Sequence, residues 1–380
     1  MRRLPILVVI LISSLTCVVT ASAQDQHFTQ FYMSPLTLNP AHAGYFEGTA
    51  RISGIYRDQG FGVLNAGPRS SLYTTPAVNV DAPILLLGET GKHWLGVGLA
   101  FYNDTQGSLS YSTTGFYGTA ALHLGLGGSG KGAGNNRGRR RGSLKSAFSQ
   151  SSSKQFTPSS TYLSIGLAYG SRSREFDLTG LGDIFGDEFT MAGTSMDRGM
   201  LDGASINTSE SGIGVMLNSK ANNQFDYQIG LSAFKVIPDE FRIISRAEDE
   251  EITLTAHAGF NYLLNAKWSI HPQLMYRVRN NSSNASLQGI AGYRFSEEKD
   301  VTLLAGAGYR FGDALQFLLG AKVKNLRVGG AFDLSTGSLK QSRDDSQSDT
   351  FFGAFELAAQ YIIKIYKKPE SDPVIFCPRL

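Results

Sequence analysis

From residue 48 onward, apolar residues alternate with small or polar ones at a period of two. That period belongs to strands with two unlike faces. In 94–101, Leu95, Val97, Leu99 and Phe101 share one face and Gly96, Gly98 and Ala100 the other. In 163–169, Leu163, Ile165, Leu167 and Tyr169 oppose Ser164, Gly166 and Ala168. In 253–262, Leu254, Ala256, Ala258, Phe260 and Tyr262 oppose Thr253, Thr255, His257, Gly259 and Asn261. A soluble sandwich buries two apolar faces against each other and turns polar residues to water. Here the second face is Gly, Ala and Ser with some Gln and Arg, which suits strands that meet lipid outward and a lumen inward. Composition agrees: 43 of 380 residues are Gly and only 18% are charged, against roughly 7% and 25% in average proteins.

The expected fold is all-β, a single transmembrane antiparallel β-barrel of about 14 strands. The strand-like segments lie near 48–58, 69–80, 93–103, 109–125, 159–172, 210–218, 225–236, 252–264, 268–279, 284–295, 300–312, 314–324, 326–335 and 351–363. An even count places both termini on one side, the periplasm, of an outer-membrane barrel. The connections around Asn265, Ser296–Lys299 and Asn325 are then short periplasmic turns, and 173–209, 237–251 and 336–350 are outer loops. No stretch after residue 23 reaches the roughly 18 apolar residues of a spanning helix.

Arg2 and Arg3, the apolar run that follows and Ala21-Ser22-Ala23 describe a signal peptide over 1–23. Ser14-Leu15-Thr16-Cys17 is a poor lipobox, so cleavage after Ala23 is expected, leaving Cys377 as the one cysteine of the mature chain. Segment 24–47 precedes the barrel (48–363), and a polar tail (364–380) follows it. One periplasmic connection is unusual. Residues 127–157 are rich in Gly and Ser and carry Lys131, Arg137, Arg139, Arg140, Arg141, Lys145 and Lys154 with no acidic residue. Such a segment is expected to be disordered. Its cluster Arg137, Arg139, Arg140 and Arg141 is a candidate contact for an acidic periplasmic partner, and an exported protein gives no reason to expect nucleic acid.

Catalytic and cofactor motifs are missing. Gly125, Gly127 and Gly130 fit G-x-G-x-x-G, but Gly132 follows Lys131 where a phosphate loop needs Ser or Thr. The six histidines, at 27, 42, 93, 123, 257 and 271, show no zinc spacing, and no G-x-S-x-G occurs. Asp344, Asp345 and Asp349 lack the Gly and terminal Glu of a calcium loop. The chain is expected to be neither an enzyme nor the holder of a cofactor or metal.

The segment before the first strand is aromatic, and Phe28, Phe31 and Tyr32 would not stay in water, so it is expected to pack into or under the barrel as a plug or docking element. It reads Gln30-Phe31-Tyr32 and then Leu38-Asn39-Pro40-Ala41-His42-Ala43-Gly44. The first strand ends Tyr56-Arg57-Asp58-Gln59, and the chain closes Cys377-Pro378-Arg379. These motifs closely resemble the PorP/SprF family of type IX secretion system outer-membrane proteins. The resemblance implies an outer-membrane barrel that assists export or attachment of a large surface protein with a C-terminal secretion domain, such as a gliding adhesin. It also implies periplasmic ring or peptidoglycan-linked components and membrane lipid as partners. Candidate partner-binding residues are then Gln30, Phe31, Tyr32, Asn39, Pro40, Ala41, Gly44, Arg57, Asp58, Gln59, Cys377, Pro378 and Arg379. The outer loops near 173–209 and 237–251, with Asp239, Glu240, Arg242 and Arg246, would meet the cargo. The insert at 127–157 departs from the short turn expected there. The alternative reading is a passive channel or transporter of small or hydrophobic compounds.

Overall fold

The computed structural model describes residues 27–61, 73–87, 93–106, 111–126, 161–176, 205–237, 240–243, 246–249, 251–280, 282–336 and 353–365. The expected signal peptide, basic insert and terminal Cys377-Pro378-Arg379 lie outside these residues.

Sixteen strands are described: β1 (Ala50–Phe61), β2 (Tyr73–Leu87), β3 (His93–Gln106), β4 (Tyr111–Leu126), β5 (Thr161–Phe176), β6 (Ser205–Lys220), β7 (Phe225–Phe234), β8 (Glu240–Ile243), β9 (Arg246–Asp249), β10 (Thr253–Leu263), β11 (Trp268–Arg279), β12 (Ser282–Ser296), β13 (Val301–Arg310), β14 (Ala314–Val323), β15 (Leu326–Ser335) and β16 (Gly353–Ile363). Fourteen form a closed antiparallel barrel in which each strand pairs with its sequence neighbour, β7 pairs with β10, and β16 returns to β1. Closure leaves no free edge in the wall, the condition for a sheet to survive in lipid. The remaining pair, β8 and β9, makes a separate hairpin. No helix among the described residues is long and apolar enough to span a membrane.

The alternation sorts residues as the lipid argument requires. Leu167, Leu231 and Leu319 point outward and are 60%, 62% and 70% exposed. Ser53, Asn79, His123, Ser164, Gln288 and Gln316 point inward and are buried. Apolar outside and polar inside reverses the rule for a soluble core and matches a membrane barrel.

All fourteen expected strands are present, most with ends shifted by a few residues, and the shifts at β2, β5 and β6 have physical reasons. β2 runs to Leu87, past the expected end at 80, because Asp81 faces inward to a partner and Pro83 sits at a register shift between Pro83 and Leu85, where the proline fits a strand. β5 and β6 extend into the expected loop 173–209. Their extra residues are mostly polar, Phe176 and Ile206 excepted, as a strand beyond the lipid layer can be. The expected loop 237–251 contains the β8–β9 hairpin.

Ala50 and Ile363 are register partners, so the barrel begins and ends on one rim. At this strand-end rim five of the six connections, 88–92, 221–224, 264–267, 297–300 and 324–325, are short, and only 127–160 is long. The opposite rim carries the long connections 177–204, 235–252 and 336–352.

Candidate functional site: an N-terminal segment inside the barrel

Residues 28–45 lie within the lumen. Three short turns shape the segment: 3-10 turns at Phe31–Met33 and Pro40–His42, and one α-turn at Pro35–Leu38. Pro35 and Pro40 open their turns, where a missing N–H costs nothing. Thr29, Gln30, Ser34, Leu36, Asn39, Ala41 and Ala43 are essentially inaccessible. Phe28, Met33, Leu36 and Ala43 pack with Ile55, Ala77, Ala100, Tyr102, Tyr117 and Ala168 of the wall. Phe31 and Leu38 pack on Met275.

Two ionic anchors fix the ends. At the first, the Glu356 carboxylate accepts from the backbone N–H groups of Thr29 (2.5 Å) and Gln30 (2.8 Å). The Thr29 hydroxyl donates to Asp333 (2.7 Å), and Gln288 donates to the Thr29 carbonyl (2.7 Å). Arg57 neutralises Glu356 (2.6 Å) and Asp333 (3.0 Å), and Arg310 also reaches Asp333 (2.9 Å). Arg57 and Glu356 are direct cross-strand partners. All four charges are nearly inaccessible, and burial of this kind requires such pairing.

The second anchor sits near the strand-end rim. Arg51 and Asp81, also register partners, form a bidentate pair (Nε–Oδ1 2.9 Å, Nη2–Oδ2 2.7 Å). Asp81 accepts the Gly44 N–H (2.7 Å), and Arg51 donates to the His42 carbonyl (3.0 Å). Trp94 Nε1 donates to the Gly44 carbonyl (3.1 Å). His123 Nε2 donates to the Ala43 carbonyl (2.8 Å), its Nδ1 being held by Ser164 (2.7 Å). Gly44 has φ +71°, and a Cβ there would stand 2.6 Å from the Gly96 Cα. Only glycine meets both demands.

Between the anchors, Asn39 accepts from the Ala41 N–H (2.9 Å) and donates to the Leu231 carbonyl (3.1 Å) and His257 Nε2 (3.2 Å). Ser232 donates to the Leu38 carbonyl (2.7 Å). Arg327 lies 4.6 Å above the Tyr32 ring, a cation–π distance. The small residues of the inner face now have a reason. A Cβ on Gly166 would collide with the Pro40–Ala41 backbone, one on Gly96 with Ala43, and one on Gly214 with the Asn39 side chain.

Of the residues singled out in the sequence, Gln30, Phe31, Tyr32, Asn39, Pro40, Ala41, Gly44 and Arg57 come together in this assembly. Gln59 accepts from the Arg57 guanidinium, at 3.5 Å. Asp58 takes the outward parity of β1, away from Arg57. Arg137, Arg139, Arg140 and Arg141 are outside the described residues. Sequence reasoning missed Asp81, Glu356, Asp333 and Arg310. The available signal was a charge at an inward position of a membrane strand, which demands a lumenal partner.

His42 stacks on His257 at 5.3 Å and lies 3.0 Å from Gln228. Burial, reinforced by His257, Arg51 and His123, holds the His42 imidazole well below the usual 6.5. A group whose folded value is depressed favours docking fully above its free value, and that contribution is lost as pH falls below it. Hydrogen exchange of the 29–45 amides, corrected for the intrinsic rate, is therefore expected to accelerate below pH 6.5, and less steeply in His42→Gln.

No curated protein matches the sequence significantly. Among solved structures, the Ralstonia pickettii toluene transporter TbuX is 11% identical over 86% of this chain and 93% of its own, with a TM-score of 0.44. The P. putida toluene transporter TodX is 10% identical over 87% and 93%, with a TM-score of 0.42. The β-domain of the Bordetella autotransporter BrkA is 10% identical over 83% and 99%, with a TM-score of 0.38. A family model described as type IX secretion system membrane protein PorP/SprF matches residues 20–134 and 143–352. By that match over most of its length, the chain belongs to the PorP/SprF family of type IX secretion system membrane proteins.

Proposed function

We propose that this chain works by binding rather than catalysis, assisting export or surface attachment of a partner surface protein and linking it to periplasmic components of the type IX system. In this reading the strand-end rim faces the periplasm and the long connections of the opposite rim meet the cargo. The observation that carries the reading is the anchored segment inside a barrel of this family. A lumen occupied by the chain's own residues, held by two buried ion clusters, leaves the two rims as the working surfaces. Apart from 127–160, the connections of the strand-end rim are short, and the opposite rim carries the long 177–204, 235–252 and 336–352, which supports that orientation.

Affinity purification of a tagged copy from detergent-solubilised outer membranes tests it. A large surface protein together with periplasmic ring or peptidoglycan-linked components is the expected result. A barrel that purifies alone, in cells whose surface proteins are exported normally without it, would overturn the reading.

A further inference from the structure

At the strand-end rim, Arg294 of β12, Thr302 of β13, Lys322 of β14, Arg327 of β15 and Gln360 of β16 are successive register partners. Partners across a sheet point to the same face. Their chain neighbours Phe295, Leu303, Val323, Val328 and Tyr361 point outward, so this row points into the lumen. Three of the five are cations. Lys322 stands directly opposite Arg327, a like-charge pairing that costs stability.

Among the described residues, none of the three cations has a carboxylate within ion-pair distance, whereas Arg51, Arg57 and Arg310 all do. Glu297, Glu298 and Asp300 occupy the 297–300 turn at the same rim, without reaching the row. Arg294 and Lys322 are exposed, while Arg327 is half-buried under Tyr32 of the lumenal segment. The lumenal segment touches this wall one level deeper, where Gln30 meets Gly329. The row therefore lines the lumen wall at this rim, beneath the segment.

We propose that Arg294, Lys322 and Arg327 form a binding site for an acidic, extended peptide entering the lumen mouth from the strand-end rim. Three strand spacings of ~4.8 Å separate Arg294 from Arg327, roughly 14 Å around the wall. A single phosphate or carboxylate cannot span that width. A strand-like peptide with acidic side chains on alternate residues, spaced about 6.8 Å apart, can. Because Arg327 also covers Tyr32, occupancy of the row acts on the lumenal segment directly. The site stands independently of the secretion role, since it rests on register and charge alone.

The test is fluorescence anisotropy of a labelled ten-residue glutamate peptide with the detergent-solubilised full chain at low salt. The triple variant Arg294→Gln, Lys322→Gln, Arg327→Gln is expected to bind at least about tenfold more weakly. Neutralising Arg137, Arg139, Arg140 and Arg141 instead is expected to leave most of the affinity. Folding is checked in each case by heat-modifiable gel mobility. The single change Lys322→Gln relieves a repulsion, keeps the barrel and is expected to weaken binding measurably. Unchanged affinity in the folded triple variant would overturn the proposal. So would loss of binding in the insert variant alone, or tight binding of tripolyphosphate with none of the glutamate peptide.

Discussion

Arg57→Ala is expected to free the upper end of the lumenal segment while leaving the barrel closed. Arg57 is the only cation within ion-pair distance of Glu356 among the described residues, and it shares Asp333 with Arg310. Its removal strands a carboxylate that is 1% exposed. Breaking a buried pair in this way costs about 3–5 kcal/mol. The cheapest relief is for residues 28–33 to leave, letting water reach Glu356. A cysteine at Met33, which is 1% exposed, reports this in a Cys377→Ser background. Its labelling by a water-soluble maleimide is expected to quicken by roughly a hundredfold, at ~1.4 kcal/mol per factor of ten. Replacing Arg57 by Lys keeps the charge and is expected to give a smaller change, since lysine cannot serve both carboxylates with a planar fork. An unchanged labelling rate in Arg57→Ala would show that the ion cluster does not hold the segment.

Gly166→Val is the second large effect, and it acts by volume. The space where its Cβ would lie is occupied by the Pro40–Ala41 backbone, which cannot rotate out of the way as a side chain can. Overpacking typically costs about 1–3 kcal/mol when side chains can adjust, and a backbone obstacle puts this case at or above the top of that range. The control is Gly289→Val. Gly289 points outward and nothing lies within 4 Å of its added Cβ. Both changes raise strand propensity, so only exclusion of the segment separates them. Proteolysis within 34–45 is expected in Gly166→Val and not in Gly289→Val.

The wall was readable from the sequence because one physical demand acts on every strand: lipid on one side, lumen on the other. That demand writes a period of two into each of the fourteen segments. It lapses where strands leave the membrane, and there the reading failed, at Ser173–Phe176 of β5 and Ser205–Ser209 of β6. The lumenal segment was half legible. Phe28, Phe31 and Tyr32 announce that it must be buried, but the partners of Thr29 lie 304 and 327 residues further along. Nothing local to Thr29 names them. What could have been read was parity: Asp81, Asp333 and Glu356 each take the inward position of an apolar strand, and a carboxylate there needs a partner. The Gly and Ala of the inner face looked like the lining of a pore. In the structure several of them are instead the surface against which Asn39–Gly44 is moulded.

The account turns on whether residues 28–45 close the lumen. Ion conductance of the purified protein in planar bilayers measures this directly, comparing the full chain with a form lacking 24–47. The expected result is no steady conductance from the full chain and steady open channels from the shortened one. A full chain that conducts steadily, with a conductance unchanged by removing 24–47, would contradict the account and favour a passive channel.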